Sequence, residues 1–198
     1  MTRLDTGEDW FGVKVAALVP LAPEDAAATM RDLAAEVQEQ DLPRLAALLG
    51  SEISPLAHFL AAVFDLSPFL RDAARRRPQM LDALFDAPLA ERLDHLIAEI
   101  SACADIEGLN EAGLMQALRE LKGEAHFLIA LADLAGEADV SVTVQRLSQL
   151  ADACVAATVN FLLREAHNSG KLNLPDPSKP YQGSGLIVLG MGKLGARE

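Results

Sequence analysis

The sequence is short of positive charge, cysteine, long apolar runs and alternating patterns, and each shortage removes a class of function. Its 198 residues hold 17 Lys and Arg against 29 Asp and Glu, a formal net charge of −12. A field of that sign repels phosphate backbones and anionic lipid surfaces, which argues against nucleic acid and membranes as partners. Arg75-Arg76-Arg77 is a local exception too small to make a binding face. No run approaches the ~18 apolar residues that a bilayer span requires. The acidic start MTRLDTGEDW, and the interruption of VKVAALVPLA by Lys14 and Pro20, do not fit a secretory signal. A cytoplasmic chain is expected. Cys103 and Cys154 lie inside apolar helical patterns with no CxxC or Cys/His spacing, so they read as small core side chains in a reducing compartment. His58, His95, His126 and His167 are scattered with no i, i+4 pair, and no metal cluster is expected from them.

What is present is helix. About half of the residues are apolar, enough for one generous core or two small ones, with one main domain the default. From about Pro23 to Asn168 the apolar positions recur at three and four residues, the period of amphipathic helices packed on one another. Pro23 suits a first helical position, and Ala26, Met30, Leu33 and Val37 form one stripe behind it. Ser54-Pro55 and Ser67-Pro68 each offer a capping hydroxyl followed by a residue with no N–H to satisfy, and each predicts a short helix. The second should end near Arg75-Arg76-Arg77, where cations complement the negative end of the helix dipole; a phosphate or partner site is the competing role for these arginines. Leu89, Leu93, Leu96 and Ile100 mark a further helix, broken by Gly108 and Asn110. Two long helices follow: one with the stripe Leu114, Leu118, Leu121, Ala125, Leu128, Ala132 and Ala135, stopped by Gly136, and one with Val144, Leu147, Ala151, Cys154, Thr158 and Phe161. So short a connection predicts an antiparallel pair, each helix roughly 30 Å long at ~1.5 Å per residue. Flanking apolar positions such as Phe127, Leu131, Val155 and Leu162 broaden the faces, which favours an intramolecular core over a coiled coil.

After Asn168 the texture changes, because LNLPDPSKPYQGSG carries too many prolines and glycines to continue a helix. Beyond it Leu186-Ile187-Val188-Leu189 reads as a strand buried on both faces, followed by the glycine-rich Gly190-Met191-Gly192-Lys193-Leu194-Gly195. One strand makes no sheet, so the sequence is expected to stop just as a second, α/β domain begins. The turn satisfies GxGxxG, but a dinucleotide site would need a further strand and an acidic residue about twenty positions on. A Walker A loop is excluded, since Leu194 follows Lys193 where Ser or Thr is required.

The stretch LGMGKLGARE closely resembles GMGKLGGREL of the glutamine synthetase adenylyltransferase/adenylyl-removing family, the first motif of its nucleotidyltransferase domain. SPFLRDAARRRPQMLDAL is similar to an early segment of that family, and LRELKGEAHFLIALADLAG with LSQLADACV resembles its paired long helices. The resemblance implies an all-α helical bundle over residues 1–170, a linker over 171–184, and over 185–198 the first strand and Gly-rich turn of a truncated α/β nucleotidyltransferase domain. It also implies a two-headed enzyme that attaches AMP to a tyrosine of glutamine synthetase and removes it by phosphorolysis, this chain being the N-terminal portion of the adenylyl-removing half.

Gly192, Lys193, Leu194, Gly195, Ala196 and Arg197 are then the nucleotide- or phosphate-binding residues, through backbone amides and close approach. Lys193 is equally readable as a surface lysine and Arg197 as a salt bridge at a helix start. Ala196 replaces a second glycine found in many members. The family's SSDxDL-type segment, whose aspartates hold magnesium, is absent from the sequence, so Mg2+ and ATP, ADP or phosphate are cofactors of the longer parent, and this portion alone is expected to bind none and to be inactive. Glutamine synthetase is the implied partner, with a nitrogen-signalling regulatory protein as a second. Ser148 and Asp152, one helical turn apart, either bond across the helix pair or face the nucleotidyltransferase domain. A stand-alone helical interaction module with an accidental glycine turn is the alternative.

Overall fold

The structure, a computed structural model, describes Trp10 and residues 18–196. The chain divides into two compact units, Met1–Leu93 with Phe127–Asp139 and Asp94–His126 with Val140–Glu198. The described residues of both are helical, as the three-and-four periodicity predicts. No described helix is long and apolar enough to cross a membrane.

In the first unit, α1 (Pro23–Glu39), α2 (Pro43–Leu49), α3 (Pro55–Leu66) and α4 (Pro68–Arg76) all begin on proline. At that position the ring fixes a helical φ, and the missing N–H has no partner to lose. Ala26, Met30, Leu33 and Val37 are the buried face of α1, the stripe the spacing predicts. Ser54 Oγ accepts the N–H of Ala57, and Ser67 Oγ accepts that of Leu70 at 3.3 Å. Ser67→Ala is expected to cost about 1 kcal/mol in urea unfolding, the ordinary loss of an N-cap. The start of α1 is capped from a distance instead: the Asp65 carboxylate on α3 accepts the N–H groups of Leu21 at 2.7 Å and Ala22 at 3.1 Å. Arg75, in the last turn of α4, forms an ion pair with Glu36 of α1, its Nε donating at 3.1 Å, so this arginine ties two helices together.

The short α5 (Gln79–Asp82) runs into a 3-10 turn, Ala83–Phe85, which sends Leu84 and Phe85 into the core. The edge of Phe85 meets the buried Trp10 ring, with centroids 5.2 Å apart, and the Arg44 guanidinium lies 5.1 Å above the same ring while bonding Asp82 and Asp86. The Trp10 carbonyl accepts the first N–H of α6 (Leu89–Ala102) at 2.9 Å.

In the second unit, the 3-10 turn Cys103–Asp105, the first half of α7 (Glu111–Ala135) and α8 (Val140–Asn168) surround a small core. Cys103, Ala104, Leu114, Ala157 and Phe161 form it, with Leu118 and Leu121 packed alongside. The early turns of α7 thus meet the late turns of α8, as antiparallel helices must. Arg164 of α8 donates to the Ala104 carbonyl and, at 2.7 Å, to the Asp105 carboxylate, pinning the turn. Gly136 follows α7 with φ of 76°, the left-handed stop its position predicts. Both thiols are pushed up by burial, consistent with packed, unreactive cysteines.

The stripe expected on α8 needs correction. Its buried residues are Leu150, Ala153, Ala157 and Phe161, whereas Leu147 is 40 % exposed. The buried face lies one residue, about 100° of rotation, from the expected one. Because α8 is alanine-rich and apolar on more than one side, periodicity fixes the helix but not its phase. Thr158, expected in the stripe, satisfies its hydroxyl on the Cys154 carbonyl at 2.8 Å.

Burial, with help from the Lys122 charge, holds His126 below the ordinary imidazole value of 6.5. Protonation therefore favours the unfolded chain, and the contribution of His126 to stability, complete above the unfolded value, is lost as pH falls through the folded one. Melting temperatures between pH 7.5 and 5 should fall less steeply in His126→Gln than in the parent chain.

Candidate functional site

The segment after α8 does not wander from the second unit. The Leu174 N–H donates to Nδ1 of His167 at 3.2 Å, and Leu174 and Pro180 are buried. Asp176 folds the next turn by accepting the N–H and hydroxyl of Ser178, contacts that hold its carboxyl below the usual range. Gly183 and Gly185 both have positive φ, at 71° and 78°, and redirect the chain.

The strand expected at Leu186–Leu189 is not seen. Among the described residues no strand is present, and Ile187, Val188 and Leu189 are exposed by 74, 48 and 79 %. A strand exists only through its ladder, and no described segment offers these residues a partner edge. The strand-to-helix turn expected to follow is accordingly not seen as such. In its place Gly192 has φ of 65° and a single helical turn, α9 (Lys193–Ala196), follows.

Within this stretch one close approach constrains the sequence. A Cβ on Gly195 would lie 2.4 Å from the Gly190 carbonyl oxygen and 2.9 Å from its carbon, so the chain folds back with backbone against backbone. Only glycine fits there. A Cβ on Gly192 would meet nothing within 4 Å, so glycine at that position answers the positive φ alone. Of the six residues assigned to phosphate binding, Gly192, Lys193, Leu194 and Gly195 lie together and exposed, Ala196 closes α9, and Arg197 lies outside the described residues.

The exposed side of α8 faces this segment across a groove of about 430 Å³. Val155, Ala156 and Val159 form one wall, and Val188, Leu189 and Leu194 belong to the other. Asp152, Asn160 and Tyr181 add polar groups. Asp152 thus faces the terminal segment, while Ser148 does not line the groove. The groove escapes sequence reasoning because Val155 and Leu162 read there as breadth of a core-facing stripe, whereas they are 40 and 47 % exposed. No cluster of three His, Cys, Asp or Glu side chains able to hold a metal occurs among the described residues, and none from Gly185 to Ala196 is a carboxylate. The donor set for magnesium is therefore not supplied by this segment.

Comparison with known proteins places these features. The family model described as glutamate-ammonia ligase adenylyltransferase matches residues 57–198, from α3 through the glycine-rich segment. A Mesorhizobium japonicum protein named bifunctional glutamine synthetase adenylyltransferase/adenylyl-removing enzyme is 54 % identical over 98 % of this chain and 20 % of its own length. Proteins of the same name from Brucella suis and Bartonella quintana are 47 and 38 % identical over 96 and 91 % of this chain, in each case 19 % of their own. The chain spans about a fifth of the length of these curated relatives. No solved structure matches it. With the family match covering well over half of its residues, the chain belongs to the glutamate-ammonia ligase adenylyltransferase family.

Proposed function

We propose that this chain is the front of the adenylyl-removing half of a bifunctional enzyme that attaches AMP to a tyrosine of glutamine synthetase and removes it by phosphorolysis, and so controls nitrogen assimilation. The observation that carries the reading is the family match running without a break into GMGKLG, where Gly195 packs on the Gly190 backbone. In phosphorolysis an oxygen of inorganic phosphate attacks the AMP phosphorus, the tyrosyl oxygen leaves, and ADP and free tyrosine result. Negative charge is redistributed over phosphate oxygens, which backbone N–H groups and cations stabilise when fixed in place beforehand.

In this reading residues 185–198 open the nucleotidyltransferase domain, joined by the 171–184 linker to the helical residues 1–170. Gly192, Leu194, Gly195 and Ala196 supply amides and close approach to the phosphates, and Lys193 and Arg197 supply charge. Magnesium, where the parent enzyme uses it, is held by carboxylates that the described residues do not provide. ATP, ADP and phosphate are the ligands of the parent enzyme, and glutamine synthetase and a nitrogen-signalling protein its partners.

Purified alone and mixed with adenylylated glutamine synthetase, phosphate and magnesium, the 198-residue chain is expected to release no ADP. Steady ADP release would refute the division of labour between glycine turn and distant carboxylates.

A further inference from the structure

The exposed apolar surface of the second unit is concentrated where α8 and the terminal segment run side by side. Val155 and Leu162 on α8 are 40 and 47 % exposed, and Ile187, Leu189 and Met191 opposite them 74, 79 and 86 %. Single exposed apolar residues are ordinary on a protein surface; a contiguous set of this size is not. The backbone beside it is also open, because Ile187–Leu189 is neither helix nor turn and joins no ladder among the described residues. An unpaired, non-helical segment next to an apolar groove has the two properties that strand addition uses: main-chain donors and acceptors for pairing, and a pocket for alternate side chains.

We infer that this groove is the seat of a β-strand from the remainder of the same enzyme, which pairs with Ile187–Leu189 and lays its inward apolar side chains on Val155, Ala156 and Val159 of α8. The inference rests on one part of the proposed function, that residues 185–198 open an α/β domain. Two observations choose this occupant. About four fifths of each curated relative lies outside the part that this chain matches, so the polypeptide needed to cover the groove exists in the family. A second copy of the chain is disfavoured, because two molecules each carrying −12 repel one another. In this arrangement α8 touches the small core through Leu150, Ala157 and Phe161 and the catalytic domain through its opposite side. Asp152 and Asn160 then stand at the seam between them.

Thiol labelling tests this directly. Val155→Cys and Ile187→Cys, with Ile53→Cys as an exposed control in the first unit, are made in the 198-residue chain and in a full-length chimera where this chain replaces the equivalent fifth of the Mesorhizobium japonicum relative. Maleimide labelling is followed peptide by peptide by mass spectrometry. The Val155→Cys and Ile187→Cys thiols should label at least tenfold more slowly in the chimera than in the chain, without nucleotide, while the control labels equally in both. Equal rates at all three positions overturn the inference. Slowing that depends on concentration of the chain alone identifies a second copy as occupant, and slowing that appears only with added ADP identifies a nucleotide; either result also overturns it. Measuring ADP release by the same chimera separates the two readings: protection without activity contradicts the proposed reaction and leaves the docking surface standing, whereas activity without protection does the reverse.

Discussion

Gly195→Ala is expected to reduce ADP release by the full-length chimera about 100-fold, the scale on which a displacement near 1 Å in a positioned catalytic group acts. The added methyl would sit 2.4 Å from the oxygen and 2.9 Å from the carbon of the Gly190 carbonyl. Both are backbone atoms, which cannot swing aside as a side chain would. The turn has to open, and amides held against Gly190 lose their aim at the phosphates. Gly192→Ala provides the contrast. Its Cβ meets open space, so the only penalty is a positive φ of 65°, about 1–2 kcal/mol for an L residue. The melting temperature of the 198-residue chain should be unchanged by Gly195→Ala, since the site is exposed and far in sequence from the helical cores. A Gly195→Ala enzyme as active as its parent would remove the glycine turn from the mechanism.

The largest effect on stability is expected at Phe85. Its ring is 1 % exposed, carries Trp10 edge-on and lies under Arg44. Phe85→Ala should cost about 3–5 kcal/mol by leaving a cavity that rigid neighbours fill only in part. The Arg44 pairs with Asp82 and Asp86 contribute much less, because the Asp86 side chain is 70 % exposed and water screens the pair. Urea unfolding of Phe85→Ala beside Ile53→Ala, whose side chain is 90 % exposed, separates a core effect from a surface one. Near-equal midpoints for the two variants would show that the Trp10–Phe85 contact does not organise the first unit.

How much of this was legible in the residues depended on whether the cause lay nearby in sequence. The Ser54-Pro55 and Ser67-Pro68 starts and the α1 stripe are local, because the cap, the proline and the buried face all sit within a few residues. The Asp65 cap on Leu21 and Ala22 is not legible, since it joins residues 44 and 43 apart. On α8 the period was readable and the phase was not: Leu147 and Val155 are as apolar as the buried Leu150, and only neighbours decide which of them is covered. Leu186–Leu189 has the composition of a buried strand, but strand structure belongs to a pair of segments, and no second one is present among the described residues. At the candidate site the glycines were legible as a pattern. The reason for one of them, the contact of Gly195 with Gly190, required the fold. The α8 wall with Asn160, and Tyr181 opposite, was missed because a groove between a helix and a distant segment leaves no periodic signal.

The most direct test of the account is to supply the chimera with adenylylated glutamine synthetase, inorganic phosphate and magnesium and to follow ADP. A chain that brings the glycine turn of the adenylyl-removing half to distant metal-bound carboxylates should restore ADP release at a rate close to that of the intact relative. A folded chimera that still attaches AMP to glutamine synthetase but releases no ADP would contradict it.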